Sequence, residues 1–181
     1  LEKLLEIKIP FIKYDINSID KTYFDEAKKL LPQKNYIGFS ITQGNQYRKK
    51  SWSLDRFINI AKKISENGKQ PVFFIEKKNI ELINDIKKKI NNAIFPELES
   101  SLFGPPLITA LATRLDKAIS IDNGIMHMIG LANIPMIVLF GPTNSLKFAP
   151  KIKNIDILDS KLIYNSNDIL KIKEEDILKF I

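Results

Sequence analysis

From residue 35 onward, short apolar runs alternate with segments in which apolar residues recur every three or four positions. The runs at 36–41, 72–75, 93–95, 118–121 and 136–140 end in polar or turn residues and have the length of buried strands. Between them, Phe57, Ile60, Ala61 and Ile64 keep the i, i+3, i+4, i+7 spacing of a helix, with Ser53 placed to cap it and Asn67-Gly68 to stop it. Ile83, Ile86 and Ile90 mark one side of a lysine-rich helix. Pro105-Pro106 suits the first turn of a helix bearing Leu107, Ile108, Leu111, Ala112 and Leu115, and a compact helix is expected over 124–132. Strands separated by helices of this length pair in parallel through crossovers, which predicts an α/β fold: an open parallel sheet with helices on both faces.

The two ends read differently. Residues 1–34 hold a short helical piece, an extended Ile9-Pro10-Phe11 and a second helix over 21–31 before Pro32, and read as a linker or the tail of a preceding domain. The domain proper is expected over 35–181. It closes with one or two helices, for which Asn167 or Asp168 is a cap and Ile169, Leu170, Ile177, Leu178 and Ile181 form the apolar side.

Composition narrows the class. With 44% apolar and 27% charged residues the chain is neither disordered nor fibrous. No apolar run approaches the ~20 residues of a membrane-spanning helix, and 1–10 lacks a signal peptide's hydrophobic stretch. Without cysteine there is no disulfide, thiolate metal site or Cys nucleophile. The net charge of +7 rests almost wholly on lysines, since Arg48, Arg56 and Arg114 are the only arginines. Lysines spread along helices read as solvated faces, with a weak general attraction to anions, and nucleic-acid binding is the least favoured reading.

Ligands of open parallel sheets bind beyond the carboxyl ends of the strands, so the loops to inspect are 42–50, 76–79, 96–104, 122–124 and 141–149. The sharpest constellation is Asp122-Asn123-Gly124-Ile125-Met126-His127, where a buried strand runs into a glycine-bearing turn and a helix. The amides of Gly124, Ile125 and Met126 would face outward there, a ready seat for phosphate. Asp122 or Asn123 either caps that helix or serves a ligand. His127, the single histidine, either packs or donates to a phosphate or ribose. A second cluster, running from Thr42 and Gln43 through Arg48 and Lys50 to Trp52, combines hydroxyl, amide and cationic groups after a strand, as a diphosphate requires. Trp52, the single tryptophan, would anchor that loop and aim Lys50. Phe140-Gly141-Pro142-Thr143 marks a tight turn with a hydroxyl. Glycine-rich dinucleotide, Walker and His-Glu-x-x-His motifs are absent.

Taken in order, three motifs resemble the C-terminal half of glycosyltransferase family 9, the bacterial heptosyltransferases. Lys50-Ser51-Trp52-Ser53-Leu54-Asp55-Arg56-Phe57 is similar to the family's Lys-x-Trp-Pro-x-x-x-Phe, with Ser53 in place of Pro. Asp122-Asn123-Gly124-Ile125-Met126-His127 is similar to Asp-(Ser/Thr/Asn)-Gly-x-x-His, and Phe140-Gly141-Pro142-Thr143 to Phe-Gly-Pro-Thr. The resemblance implies one of the two Rossmann-like domains of a GT-B fold, here the donor-binding one. It implies transfer of a heptose from ADP-heptose, or a related nucleotide sugar, to a lipopolysaccharide core acceptor, without metal or other cofactor. Lys50 would bind the diphosphate and Asp122 the sugar hydroxyls, as catalytic groups. The backbone of Asn123, Gly124 and Ile125 with His127 would hold the phosphates, and Thr42, Gln43 and Thr143 complete the set. The acidic residue that some members use in the loop after the second strand would be Glu76 or Glu81. The acceptor half, with its general base, would precede this chain, which alone would be inactive. A cytoplasmic location, with peripheral contact to the inner membrane, follows from the same resemblance. The alternative is a non-catalytic nucleotide-binding or assembly module that keeps the donor-domain fold.

Overall fold

In the computed structural model of the chain, residues 14–44 and 46–181 are described. The short helical piece and the extended Ile9-Pro10-Phe11 expected near the start lie outside them. Five strands form one sheet: β1 Tyr36–Ser40, β2 Gln70–Phe73, β3 Lys117–Ile121, β4 Met136–Phe140 and β5 Ile155–Asp159. The helices are α1 Lys21–Leu30, α2 Leu54–Glu66, α3 Ile80–Lys89, α4 Pro96–Glu99, α5 Pro105–Ala112, α6 Gly124–Leu131, α7 Ser145–Phe148, α8 Ser160–Tyr164 and α9 Glu174–Leu178. All strand pairings are parallel, in the order β2-β1-β3-β4-β5.

The uninterrupted apolar runs of the sequence arise because both faces of the sheet are covered. Along β4, Ile137 and Leu139 enter one core cluster while Met136, Val138 and Phe140 enter the other. The first cluster takes Phe57, Ile60 and Ile64 of α2, Ile83 and Ile86 of α3, and Ile169, Ile172 and Ile177 of the C-terminal segment. The second takes Ala27 of α1, Leu107 and Leu111 of α5, and Met126 and Ile129 of α6. Each fully buried large apolar side chain contributes roughly 1.5–3 kcal/mol. At Gly38 in β1 a Cβ would lie 2.5 Å from Leu115 Cδ1 and 3.1 Å from the Phe74 ring, so a larger residue there would have to displace the Leu115 side chain. Residues 21–31 carry α1, which packs against α5 with Ala27 and Leu31 fully buried. Arg114 donates from Nε to the Leu31 carbonyl (3.1 Å).

The sheet departs from the sequence expectation at both edges. The run at 93–95 makes a single bridge, Ile94 beside Val72, because Pro96 opens α4 two residues later. The run at 72–75 enters the ladder earlier, over Gln70–Phe73, while Phe74 and Ile75 stay fully buried beyond it. Strand β5 was not expected: Asp156 and Asp159 interrupt its apolar pattern, and Ile157 is exposed, as an edge strand permits. At the C-terminus the cap is Asp168, which accepts from the Leu170 amide (2.9 Å), and a single 3-10 turn and α9 close the chain.

The strand order creates the crevice. β2 lies on one side of β1 and β3 on the other, so the connections leaving β1 and β3 part in opposite directions, opening a gap above their carboxyl ends.

Candidate functional site

Asn123 holds that gap's floor together. Its backbone is extended at the head of α6, and its Oδ1 accepts from the Met126 amide (2.8 Å). Its Nδ2 donates to Ser40 Oγ (2.7 Å) and to the Thr42 carbonyl (2.9 Å), tying the exit of β3 to the exit of β1. Asn123, then, is the cap that the sequence left open between two residues. Three free amides are expected at this helix start, but the Met126 amide belongs to the cap, so Gly124 and Ile125 carry the ones left without a partner among the described residues. A Cβ on Gly124 would meet nothing within 4 Å, so the backbone here borders open space.

Asp122 is 6% exposed, and its Oδ2 accepts from Lys50 Nζ (2.5 Å) and from Thr143 Oγ1 (2.6 Å). Its Oδ1 accepts no hydrogen bond among the described residues. These three side chains come from the loops after β1, β3 and β4. Lys50 is aimed by its neighbours: its amide donates to Gln43 Oε1 (2.9 Å), and Trp52 is buried with its indole N–H on the Ile172 carbonyl (2.9 Å). Arg56 lies 5.7 Å from the Trp52 ring centroid and donates to the Leu170 and Ile172 carbonyls, locking the loop to the C-terminal segment. Thr143 is set by a turn in which a Cβ on Gly141 would lie 2.7 Å from Ile169 Cβ. Around this trio opens a cleft of about 430 Å³, lined by Gln43, Gly44, Arg48, Lys50, Asp122, Asn123, Gly124, His127, Thr143 and Phe148. His127 is exposed, and its imidazole makes no hydrogen bond among the described residues. Arg48 and Phe148 carry no motif signal, although Arg48 lies in the polar loop that the sequence singled out.

The remaining sequence candidates lie elsewhere around the same gap. Thr42 lines a neighbouring hollow of about 480 Å³ with Trp52, Leu54, Phe57 and Leu82, and Gln43 lines both. Ile125 and Glu76 line a third, more apolar hollow of about 450 Å³, together with Lys77, Glu97, Phe103, Ile108 and Met128. Glu76 therefore does not join Lys50 and Asp122. It pairs with Lys78 (2.5 Å), and Glu81 lines neither the cleft nor this hollow. Gly124 faces the cleft and its neighbour Ile125 the apolar hollow, so the two adjoin across the first turn of α6. Sequence reasoning missed Glu97. Burial, reinforced by Glu76 and opposed by Lys77, pushes its carboxyl up to about 7, and its Oε1 is buried without a partner. Its position after Pro96 in a strand-end loop was the available signal, but nothing local shows that a carboxyl there is buried.

Among the described residues no group of three or more His, Asp or Glu could hold a metal ion, and no helix is long and apolar enough to cross a membrane.

An anion-ready helix start at a sheet's switch point occurs in many folds, and comparison narrows the choice. No curated protein matches the sequence. Among solved structures, the chain is similar to a glycosyl transferase family 9 protein from Veillonella parvula (21% identity, TM-score 0.72, 89% of this chain and 50% of that one). It is similar to E. coli ADP-heptose lps heptosyltransferase II (16% identity, TM-score 0.70, 97% and 54%) and to E. coli heptosyltransferase WaaC with ADP (14%, TM-score 0.70, 99% and 52%). The chain spans about half the length of each, and the likeness establishes the fold, that of GT-B glycosyltransferases. The family model for glycosyltransferase family 9 (heptosyltransferase) matches residues 2–177, nearly the whole chain and all three motifs that build the cleft. The chain belongs to glycosyltransferase family 9, the heptosyltransferase family.

Proposed function

We propose that the chain is the donor-binding half of a glycosyltransferase that moves a sugar, a heptose, from an ADP-sugar to a lipopolysaccharide core acceptor. The observation that carries this reading is the Lys50–Asp122–Thr143 trio at the head of α6, open to a cleft that Arg48 and His127 also line. A diphosphate fits the free amides of Gly124 and Ile125, with Lys50 and Arg48 as counter-charges. Oδ1 of Asp122 is left to accept from sugar hydroxyls. The nucleoside would extend over the first turn of α6 into the apolar hollow, which Glu76 also lines.

In the transfer the acceptor oxygen bonds to the anomeric carbon as the bond from that carbon to the diphosphate oxygen breaks. The electron pair leaves with ADP, where Lys50, Arg48 and the two amides stabilise the growing charge without a metal. The acceptor and the base that takes its proton would come from the acceptor-binding half, so the present residues alone would bind donor without transferring it. The work would be done in the cytoplasm, at the inner membrane's face.

Titration of the chain with ADP and with ADP-heptose tests the proposal. ADP-heptose is expected to bind more tightly than ADP, and Asp122→Ala is expected to abolish that difference while ADP still binds. Equal binding of the two ligands, unaltered by Asp122→Ala, would instead identify a nucleotide-binding module with no sugar pocket.

A further inference from the structure

Thr143 borders a second hollow besides the polar cleft. It measures about 270 Å³ and lies between α7 and α8, where the chain leaves the adjacent strands β4 and β5. Leu146 of α7 and Leu162 of α8 both line it, yet they are 77% and 74% exposed, and Phe148 and Ile163 beside them are exposed too. Apolar side chains grouped in this way mark a surface that something else covers. The surface has a definite sign. Neither helix carries an acid, since α7 reads Ser-Leu-Lys-Phe and α8 Ser-Lys-Leu-Ile-Tyr. Three lysines surround the leucines: Lys161 lines the hollow, Lys151 donates from Nζ to the Leu146 carbonyl (3.2 Å), and Lys147 stands 5.3 Å from the Phe148 ring centroid. None of the three forms a salt bridge among the described residues. Asp159, the one acid among the described residues that line the hollow, is buried, and its Oδ1 accepts from the Lys161 amide (2.9 Å).

Size and charge together decide what covers it. Helices of four and five residues offer far fewer than the ~20–30 residues that each side of a stable protein interface supplies. Protruding leucines among cations without acidic partners match instead the boundary of an anionic bilayer, where apolar side chains enter the acyl region and lysines meet the phosphate headgroups. Resting on the donor-half reading above for its purpose, we propose that α7 and α8 dock the chain on anionic membrane lipid. Leu146 and Leu162 insert, and Lys147, Lys151 and Lys161 lie against the headgroups. The position of α7 gives this docking a use, because Phe148 lines the polar cleft while Leu146 lines the hollow. Thr143 borders both and donates to Asp122, the group assigned to the sugar. A membrane held there sets the sugar end of the cleft beside the bilayer, where a lipid-anchored acceptor presents its hydroxyl.

The test is cosedimentation of the full chain with vesicles of equimolar phosphatidylglycerol and phosphatidylethanolamine, set against vesicles of phosphatidylcholine alone. The chain is expected to partition to the anionic vesicles and not to the neutral ones, and less as salt rises. Lys147→Gln combined with Lys161→Gln should lower the partition coefficient about 10- to 30-fold. Leu146→Ser combined with Leu162→Ser should lower it about tenfold or more at low salt as well. All four side chains lie outside the core and the polar cleft, so ADP affinity and unfolding stability should stay at wild-type values in both double variants. Absence of binding to the anionic vesicles overturns the docking surface. So does binding that both double variants leave unchanged, which would put the lipid contact elsewhere on this basic chain. Self-association in place of vesicle binding, seen by light scattering and abolished by Leu146→Ser with Leu162→Ser, overturns it by assigning the surface to a second copy. Vesicle binding as expected from a chain that fails to bind ADP supports the docking surface and sinks the donor-half reading alone, whereas ADP binding without vesicle binding sinks only the docking surface.

Discussion

The two hollows on either side of the first turn of α6 are organised in opposite ways. In the polar cleft the groups with the highest desolvation cost are already joined: Asp122 holds Lys50 and Thr143, and Asn123 clamps Ser40, Thr42 and Met126. In the apolar hollow a carboxyl oxygen is buried with nothing to bond. The polar side is thus preorganised before any ligand arrives, whereas the apolar side keeps an unmet hydrogen-bonding demand. Substitutions should separate the two sides, because those in the polar cleft disturb the fold as well as the ligand and those in the apolar hollow disturb mainly the ligand.

The largest effect is expected from Lys50→Met. It leaves the buried Asp122 carboxylate with Thr143 alone and should cost about 3 kcal/mol in denaturant unfolding. ADP affinity should drop about 10- to 100-fold through loss of a charge-assisted contact. Adding Asp122→Asn to Lys50→Met should restore most of the stability and none of the ADP affinity. Recovery of both would mean that Lys50 acts only through Asp122. Next comes Asn123→Ala, which removes a helix cap and two further hydrogen bonds and should lower unfolding stability by about 2–3 kcal/mol. A loss below about 0.5 kcal/mol would show that β1 and β3 need no tie at their exits.

What the sequence revealed of this arrangement follows the same division. Lys50, Asp122, Asn123 and Gly124 were legible because each sits at a fixed offset from a buried strand or a lone tryptophan, and strand ends converge in a parallel sheet. The central strands were legible because burial on both faces leaves unbroken apolar runs. Strand β5 was hidden because its outer position tolerates Asp156 and an exposed Ile157, which erase the run. Glu97 and Phe103 were hidden for a different reason. Whether a glutamate oxygen is sealed or a phenylalanine ring is bare depends on how α4, α5 and the loop after β2 pack together, and neighbouring residues in the chain do not encode that packing. Arg48 stood in a loop already marked as polar, but only the fold directs it into the cleft.

Phe103→Ala tests the ligand-only character of the apolar hollow. With its ring 84% exposed, Phe103 contributes little to the core, so unfolding stability should stay within about 0.5 kcal/mol of wild type. ADP affinity should fall by about 1–2 kcal/mol, roughly 5- to 30-fold, through lost stacking. Affinity for inorganic pyrophosphate, which has no base, should be unchanged. An equal loss for pyrophosphate would mean that Phe103 shapes the phosphate seat and that the two hollows are not independent.

The smallest expected effect concerns the fold with no ligand present. Glu97 has a carboxyl raised from 4.5 to about 7, chiefly by burial. A group held more protonated in the native state than in the unfolded chain contributes stability that is complete below the unfolded value and is lost as pH rises through the native one. Wild-type stability should therefore decline between about pH 4.5 and about pH 7 relative to Glu97→Gln, which cannot ionise. Part of the Glu97 side chain remains in water, so solvent screening holds the difference to about 1 kcal/mol. Parallel urea unfolding of both proteins at several pH values measures it directly. The two stability curves should converge in acid and separate toward neutrality, with the variant the more stable of the two. Superimposable curves would mean that the Glu97 carboxylate is solvated as an ordinary surface acid, and the contrast between a satisfied and an unsatisfied side of α6 would no longer hold.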